Sequence, residues 1–436
     1  MGILLFFGFA AFFDWGSNPV RAQDSGGKIL TLEEALRIAE EKNKDILKAK
    51  EYRKQVEGRY VEERSAALPQ LEATANLTRS RDESLTRLYR GLLSPESGSR
   101  NFELGLSQAL YTFGRIGAAI RAAKVGLATA DDQLRLYRQA ARRDVSSAFY
   151  DILLAKELHA LAVQNWEQKK RHLEEVRRRF DAGVATEYDV LAAQVSVENA
   201  VPEMIRRENG IRIAKDKLRF LLGLNGQEID VRGDFKMATD SLPSIEEALQ
   251  VALKNRPELA DLQKRIEISK ELVRIYDAGN LPRFDLRARY GWKDIEQGEV
   301  RGDGQYWLVG IFLSFPFFDG LRTQGKVTQA KSETTSLRTE EAKLIDAIAL
   351  QVREASYACQ EAAEIVRALS GTIRQAERLL QMAEKGYAYG VKTKLDVDDA
   401  ELNLLQAKTN LARAQRDQIV ARIHYEWVMG ILGEKK

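Results

Sequence analysis

Cysteine, histidine and proline are scarce in this chain: one cysteine (Cys359), three histidines and eight prolines in 436 residues. A single cysteine excludes a disulfide-stapled scaffold. The histidines lack metal-ligand spacing, so no metal site is expected. No proline follows Pro316, which leaves the last 120 residues without a helix breaker. Long apolar runs are missing too. The longest, Ile3 to Phe13, has 11 residues, against the roughly 20 that a membrane-spanning helix needs. A polytopic helical membrane protein is therefore excluded. Charge of one sign is also missing, with 67 Lys+Arg against 64 Asp+Glu and a net charge of +3. That balance gives no footprint for nucleic acid. Disorder is excluded by a 44% hydrophobic content at this low net charge.

What is present begins with an address. Ile3 to Phe13 has the length of a signal-peptide apolar core, and Val20-Arg21-Ala22 offers a cleavage position after Ala22. Residues 1–22 are read as a signal peptide. No Lys or Arg precedes the apolar run, which leaves the position of the start codon open. Export to an oxidising compartment fits the near absence of cysteine. Cys359, in an Ala-rich helical stretch, is expected to be a small core residue.

The remainder is a duplication. Glu33-Glu34-Ala35-Leu36 returns as Glu246-Glu247-Ala248-Leu249, and Leu68-Pro69 as Leu281-Pro282, both at an offset of 213. Gly183-Val184-x-Thr186-x-x-Asp189-Val190 returns as Gly390-Val391-x-Thr393-x-x-Asp396-Val397, and Leu222-Gly223 as Met429-Gly430, both at 207. The change of six falls before Ser107/Ser314, so one loop is six residues longer in the first half. Two repeats are assigned, 23–226 and 227–436, fused into one protomer.

Each repeat has the same element order. Thr31 with Glu34, and Ser244 with Glu247, form capping boxes that open a helix. These helices are expected to continue to about Ala67 and about Ala278. Alternating segments follow. Leu71, Ala73, Ala75 and Leu77, then Phe102, Leu104 and Leu106, share an apolar face in the first repeat. Phe284, Leu286, Ala288, Tyr290 and Trp292, then 307–315, do so in the second. Strands of about 10 residues suit a tilted transmembrane β-strand. Trp292, Tyr306 and Trp307 are placed near strand ends, as in an aromatic girdle, with Arg301-Gly302-Asp303-Gly304 as the hairpin turn. The charged alternate positions Asp285, Arg287 and Arg289 suit a water-filled lumen. A soluble hairpin packed on a core is the plainer alternative.

Long helices complete each repeat. Between Gly117 and Phe180 there is no proline, giving roughly 95 Å of helix. Val145, Ile152, His159, Trp166, Leu173 and Phe180 recur every seven residues, with Ala148, Ala155, Ala162 and Val176 three residues after members of that row. This is a coiled-coil seam with small residues at one position, interrupted by Lys169. Lys169-Lys170-Arg171 and Arg177-Arg178-Arg179 read as solvated faces. A further helix runs from about Thr186 to Leu222, with a kink expected at Pro202. Gly183 and Gly390 are expected to end helices in the left-handed conformation, and Thr186 and Thr393 to cap the next.

Four strands cannot close a barrel, since about eight are the minimum. Open sheet edges are not tolerated in lipid. If the hairpins enter a membrane, several chains must share one barrel, while the charged helices project into water.

These features resemble the TolC family of outer-membrane efflux proteins, over 30–433. The most specific stretches are Gly386-Tyr387-Ala388-Tyr389-Gly390-Val391-Lys392-Thr393 followed by Leu395-Asp396-Val397, and Arg179-Phe180-Asp181-Ala182-Gly183-Val184-Ala185-Thr186 followed by Tyr188-Asp189-Val190. Ser314-Phe315-Pro316-Phe317-Phe318-Asp319-Gly320, which ends a strand on proline, matches as well. The resemblance implies a mainly α fold with a small β part: long coiled-coil helices in a periplasmic α-barrel, and four strands given to a shared 12-stranded transmembrane barrel. It implies a homotrimer in the outer membrane, a passive tunnel without enzymatic activity or cofactor, docked to a periplasmic adaptor and an inner-membrane pump of the RND, ABC or MFS type. By motif position, the implied periplasmic gate consists of Asp396 and Asp399 at the constriction, tied through Tyr387 and Lys392 with Asp189 as acceptor. Lys392 stands where the family commonly has arginine, and so lacks a bidentate fork. Asp396 and Asp399, three apart, share a helix face. An ordinary helix N-terminus also favours aspartate there. The implied adaptor-docking tips are Gly183, Val184, Thr186, Gly390, Val391 and Thr393.

Two other functions have their own sequence requirements. A periplasmic adaptor, or another coiled-coil protein of an envelope complex, should carry a lipoyl-like β-domain between helical halves. An enzyme should show a nucleophile–base pair, a metal cluster or a phosphate loop, and none is legible.

Overall fold

A computed structural model of the chain describes residues 28–84, 94–235 and 242–433; the signal-peptide assignment over 1–22 lies outside them. The described chain is 70% helical. In order it runs β1 (Lys28–Leu30), α1 (Leu32–Lys42), α2 (Lys44–Ser65), β2 (Gln70–Arg81), β3 (Glu96–Tyr111), α3 (Arg115–Asp181), α4 (Glu187–Leu222), β4 (Ile229–Val231), α5 (Ile245–Asn255), α6 (Pro257–Asp277), β5 (Arg283–Gln297), β6 (Val300–Ser314), α7 (Arg322–Ala388) and α8 (Lys394–Val428).

Both capping boxes close. Thr31 Oγ1 accepts from Glu34 N while Glu34 Oε2 accepts from Thr31 N at 2.9 Å; Ser244 and Glu247 repeat this at 3.0 Å. The helices they open are shorter than the sequence reading. Instead of single helices to about Ala67 and Ala278, each breaks after 11 residues. Asn43 is extended, and its side chain caps α2 by accepting from Asp45 N and Ile46 N. Arg256 is extended because the following Pro257 disfavours the helical region for the residue before it. The offset of 213 carries Asn43 onto Arg256, so the break is a repeated feature.

Each break is pressed by the glycine that ends the last helix of its half. A Cβ on Gly223 would stand 2.5 Å from the carbonyl oxygen of Lys42, and one on Gly430 2.8 Å from the backbone of Asn255. Both glycines also have positive φ, +65° and +72°. They close a compact core beside each break. In the first half Ile38, Val145, Phe149, Ile152, Leu218 and Leu222 pack together, covered by β1, which pairs in parallel with β4. In the second half Leu259, Ile348, Val352, Cys359, Tyr425 and Val428 do so. Cys359 is buried, as expected.

Away from these cores, α3 and α7 are each 67 residues, about 100 Å at 1.5 Å per residue. The seam holds through Val145, Ala148, Ile152, Ala162, Leu173 and Val176, all buried, and is exposed at Phe180. Lys169, its interruption, donates to Ser196 Oγ at 2.9 Å. Helix α4 runs unbroken through Pro202.

The four long strands make one antiparallel sheet in the order β2-β3-β5-β6, leaving β2 and β6 as edges. Among the described residues this is an open sheet, not a closed barrel. The strands are 12, 16, 15 and 15 residues, longer than the 10 expected. The hairpin turn is not 301–304. Those residues lie within β6, where Lys293 pairs Gly304 and Glu296 pairs Arg301; the turn is Gly298-Glu299. Gly298 has a φ of +61°, which the twist of a two-residue hairpin requires. The aromatics are correspondingly not at strand ends. Phe102 pairs Trp292, and Tyr290 pairs Trp307, in a row that crosses the sheet partway along its strands.

That row divides the sheet. Below it, one face carries Leu71, Leu104, Leu106, Leu286, Tyr290, Val309, Ile311 and Leu313. From Phe284 to Trp292 this face extends eight residues, about 27 Å along the strand. Above it the same face becomes charged: Asp294 is held by Arg301 at 2.9 Å and by Arg100 at 3.8 Å. The opposite face is mainly polar, with Glu72, Asn101, Glu103, Arg287, Arg289 and Lys293, and carries Leu308 and Phe312 among them.

Candidate functional site

The conserved-spacing motifs of the two repeats meet at the far ends of the long helices. Chain reversal there is set locally. Helix α3 ends on Gly183 at φ +75° and α7 on Gly390 at φ +74°. Val184 N donates to Arg179 O at 2.9 Å, and Val391 N to Gly386 O at 2.8 Å. This is the Schellman pattern that uses a left-handed glycine to satisfy the last carbonyls. Thr186 and Thr393 then cap α4 and α8, each in a box closed by the aspartate three residues on.

The boxes assign the aspartates. Asp189 Oδ2 accepts from Thr186 N at 2.8 Å and from its hydroxyl at 2.7 Å. Asp396 Oδ2 does the same at 2.9 and 2.8 Å, while its Oδ1 takes Lys392 Nζ at 3.1 Å. These donors, with Thr393 foremost, hold the Asp396 carboxyl down to about 2. Asp189 is lowered by Thr186 in the same way. Asp399 is exposed on the following turn.

The residues of the tie expected from motif position have these partners within the chain. Within this chain, and among the described residues, Asp189 bonds to Thr186 of its own helix cap. Lys392 is likewise spent on Asp396, one turn away. Tyr387 is met from α3. Arg179 Nη1 donates to its hydroxyl at 3.4 Å, and the guanidinium stands over the ring at 5.4 Å. Glu175 orients that arginine at 2.7 Å.

A crevice of about 330 Å³ lies behind this contact, between the α3–α4 pair and α8. Gln168 Nε2 donates across it to Glu401 Oε1 at 2.6 Å. Lys394 pairs with Asp398 at 2.9 Å. Burial lowers the pKa of His172 inside it, with Lys394 adding to the effect, and burial raises that of Glu401. Nothing in the sequence pattern assigns these contacts. Arg179 is the third of three consecutive arginines and differs from its neighbours only by helical phase. Gln168, His172 and Glu401 belong to no motif.

At the outermost surface the turns present apolar groups to solvent: Val184 is 74% exposed, Tyr188 78%, Val391 80% and Tyr389 84%. Six docking positions expected from sequence, Gly183, Val184, Thr186, Gly390, Val391 and Thr393, are all at these two turns. Two, the threonines, are occupied in capping. Among the described residues no group of His, Cys, Asp and Glu has metal-binding geometry, and no helix is long and apolar enough to cross a membrane.

Known proteins share this design. The family model described as outer membrane efflux protein matches residues 35–224 and again 248–428. The outer membrane protein TolC of Vibrio cholerae is 23% identical over 378 residues, covering 85% of this chain and 84% of that protein. The cobalt-zinc-cadmium resistance protein CzcC of Cupriavidus metallidurans is 27% identical over 398 residues, covering 89% and 87%. Among solved structures, the Campylobacter jejuni CmeC outer membrane channel superposes with a TM-score of 0.82 at 16% identity, covering 93% of this chain and 87% of that one. At that identity the superposition establishes the fold alone.

Proposed function

Because this chain belongs to the outer membrane efflux protein family, we propose that three copies form a passive exit duct across the outer membrane. The protein is a non-enzymatic outer-membrane channel of a tripartite export system, and its partners are an adaptor and an inner-membrane pump. The observation that carries the trimer is the open sheet. Its apolar face needs lipid and its two edge strands need partners. Four strands from each of three chains make a barrel of twelve, wide enough to begin leaving a channel. The apolar face, about 27 Å along strands tilted by about 40°, rises about 20 Å, close to the height of an apolar band of about 25 Å. The aromatic row then marks its outer boundary.

In this reading residues 1–22 are a signal peptide, and 23–226 and 227–436 are repeats sharing the work. The 67-residue helices form a periplasmic tube, and the short helices α1, α2, α5 and α6 an equatorial belt. The turns at Gly183–Thr186 and Gly390–Thr393 dock the adaptor through Val184 and Val391. Asp399 and Asp396 line the periplasmic constriction. Tyr387, held by Arg179, and Lys392, held by Asp396, keep the tip closed, while Asp189 serves the gate by fixing the start of α4.

Light scattering of the detergent-extracted protein is expected to give three chains per particle. A monomer that stays out of membranes would refute the shared barrel.

A further inference from the structure

The channel reading leaves the chemistry of the barrel interior unassigned, and the sheet register defines it. Strand β5 places Arg283, Asp285, Arg287, Arg289 and Lys293 on the polar face, at alternate positions. Their cross-strand neighbours are small or uncharged. Arg287 pairs Ser107 and Gly310, Arg289 pairs Gly105 and Leu308, and Lys293 pairs Asn101 and Gly304. The residues directly opposite these three cations therefore carry no charge.

Carboxylates on this face do not cancel the column where a solute would meet it. Asp285 is bound by Arg283 at 2.8 Å and Arg287 at 3.9 Å, yet its side chain is only 8% exposed against 51% and 46% for the arginines. Glu103 lies 3.7 Å from Arg289, 19% exposed against 51%. Tyr306 donates to Glu103 at 2.7 Å, reaching it across Gly291. The short acids lie beneath and orient the guanidiniums, which form the outer layer. Arg287 is further seated over the Phe312 ring at 4.9 Å. Glu72, on β2, is the third carboxylate of this face and stands two strands away from the column.

We propose that this column is an anion-binding lining of the exit barrel, so that solutes bearing carboxylate, phosphate or sulfonate groups are favoured there. The inference rests on the shared-barrel reading, which repeats the column around the lumen. Rings of basic side chains in a narrow pore concentrate anions. The lining is opposite in sign to the aspartates at the tips, so the two ends of the conduit prefer opposite charges.

The test is single-channel recording of the full-length protein in a planar bilayer, with pyrenetetrasulfonate added to each chamber in turn. Block from one chamber only is expected, weakening as KCl rises from 0.1 to 1 M because the screening length falls from about 10 to 3 Å. The triple variant Arg287→Gln, Arg289→Gln, Lys293→Gln should need about tenfold more anion for half block. Lys293→Glu alone, at an exposed position, should weaken the block about threefold, and supports the proposal even where the triple variant does not insert. Conducting channels that the anion blocks equally well in wild type and in either column variant would overturn the lining while sparing the channel. Absence of any wild-type conductance would sink the channel reading and the lining with it.

Discussion

The two halves of this chain solve one backbone problem twice and fill it differently. Both break their first helix at the same repeat position, and both press a left-handed glycine onto the break. Both end a 67-residue helix on another left-handed glycine and restart on a Thr–Asp capping box. The side chains inside diverge. At the offset of 207, buried Phe149, Ile152 and Leu218 correspond to buried Ser356, Cys359 and Tyr425. Two positions lose volume and the third gains an aromatic ring, so the bulk of the core moves from α3 to α8. The tips diverge as well. Asp189 serves only its cap, whereas Asp396 also binds Lys392. Backbone geometry admits few residues at each point, because positive φ and a missing Cβ are steric demands. A core needs only its summed volume and apolarity kept.

The largest effects should expose where the core volume sits. Phe149→Ala is expected to cost about 3–5 kcal/mol, while its counterpart Ser356→Ala costs under about 1 kcal/mol. Tyr425→Ala should match the phenylalanine, not its own counterpart. Urea midpoints of the purified protein would decide this, and equal losses at 149 and 356 would break the comparison.

Gly223→Ala and Gly430→Ala should each cost about 3 kcal/mol, from the strained backbone and the displaced helix break together. Here the halves should agree. A melting temperature unchanged in one of them would show that its break can shift.

At the tips the halves should part again. Asp396→Ala with Asp399→Ala is expected to raise single-channel conductance severalfold and reduce cation preference, because repulsion and ion binding at the constriction are removed. Asp189→Ala should alter conductance far less. Unchanged conductance in the double variant would remove the gate assignment from the second half.

The smallest effects are in pH. Burial holds the His172 pKa below its ordinary value of 6.5, with Lys394 and Arg179 opposing its charge and Asp398 and Glu175 favouring it. A depressed imidazole adds stability that is full above 6.5 and is lost as pH falls through the folded value. Acidification should therefore loosen the α3–α8 contact, measured as slower cross-linking between cysteines at positions 168 and 401, beyond the slowing that thiol protonation alone gives in the same pair carrying His172→Gln. The Asp396 contribution is full above its ordinary value of 3.8 and is lost as pH falls toward about 2. Lys392→Ala should raise that endpoint in an NMR titration and leave Asp189 where it is.

The family, the channel function and the outer-membrane location were legible before any coordinates. They reside in strongly periodic segments and in glycine, threonine and aspartate at fixed offsets. The helix breaks were not read from the sequence, although Pro257 disfavours a helical residue before it and the offset of 213 carries that position onto Asn43. The true turn at Gly298 was obscured by Gly302 and Gly304, which satisfy a turn composition while sitting in a strand. Of the candidate site, the glycines and threonine caps could be read because their roles are local. The Arg179–Tyr387 contact and the Gln168–Glu401 bond could not.

The sequence by itself determined periods, caps and chain reversals, because these depend on residues within a few positions of one another. Only the tertiary structure decided which of three consecutive arginines turns inward, where the core volume lies in each half, and which charges on the polar sheet face are outermost. Those outcomes follow from the phase and register of elements far apart in the chain, where a shift of one residue moves a side chain to the other face.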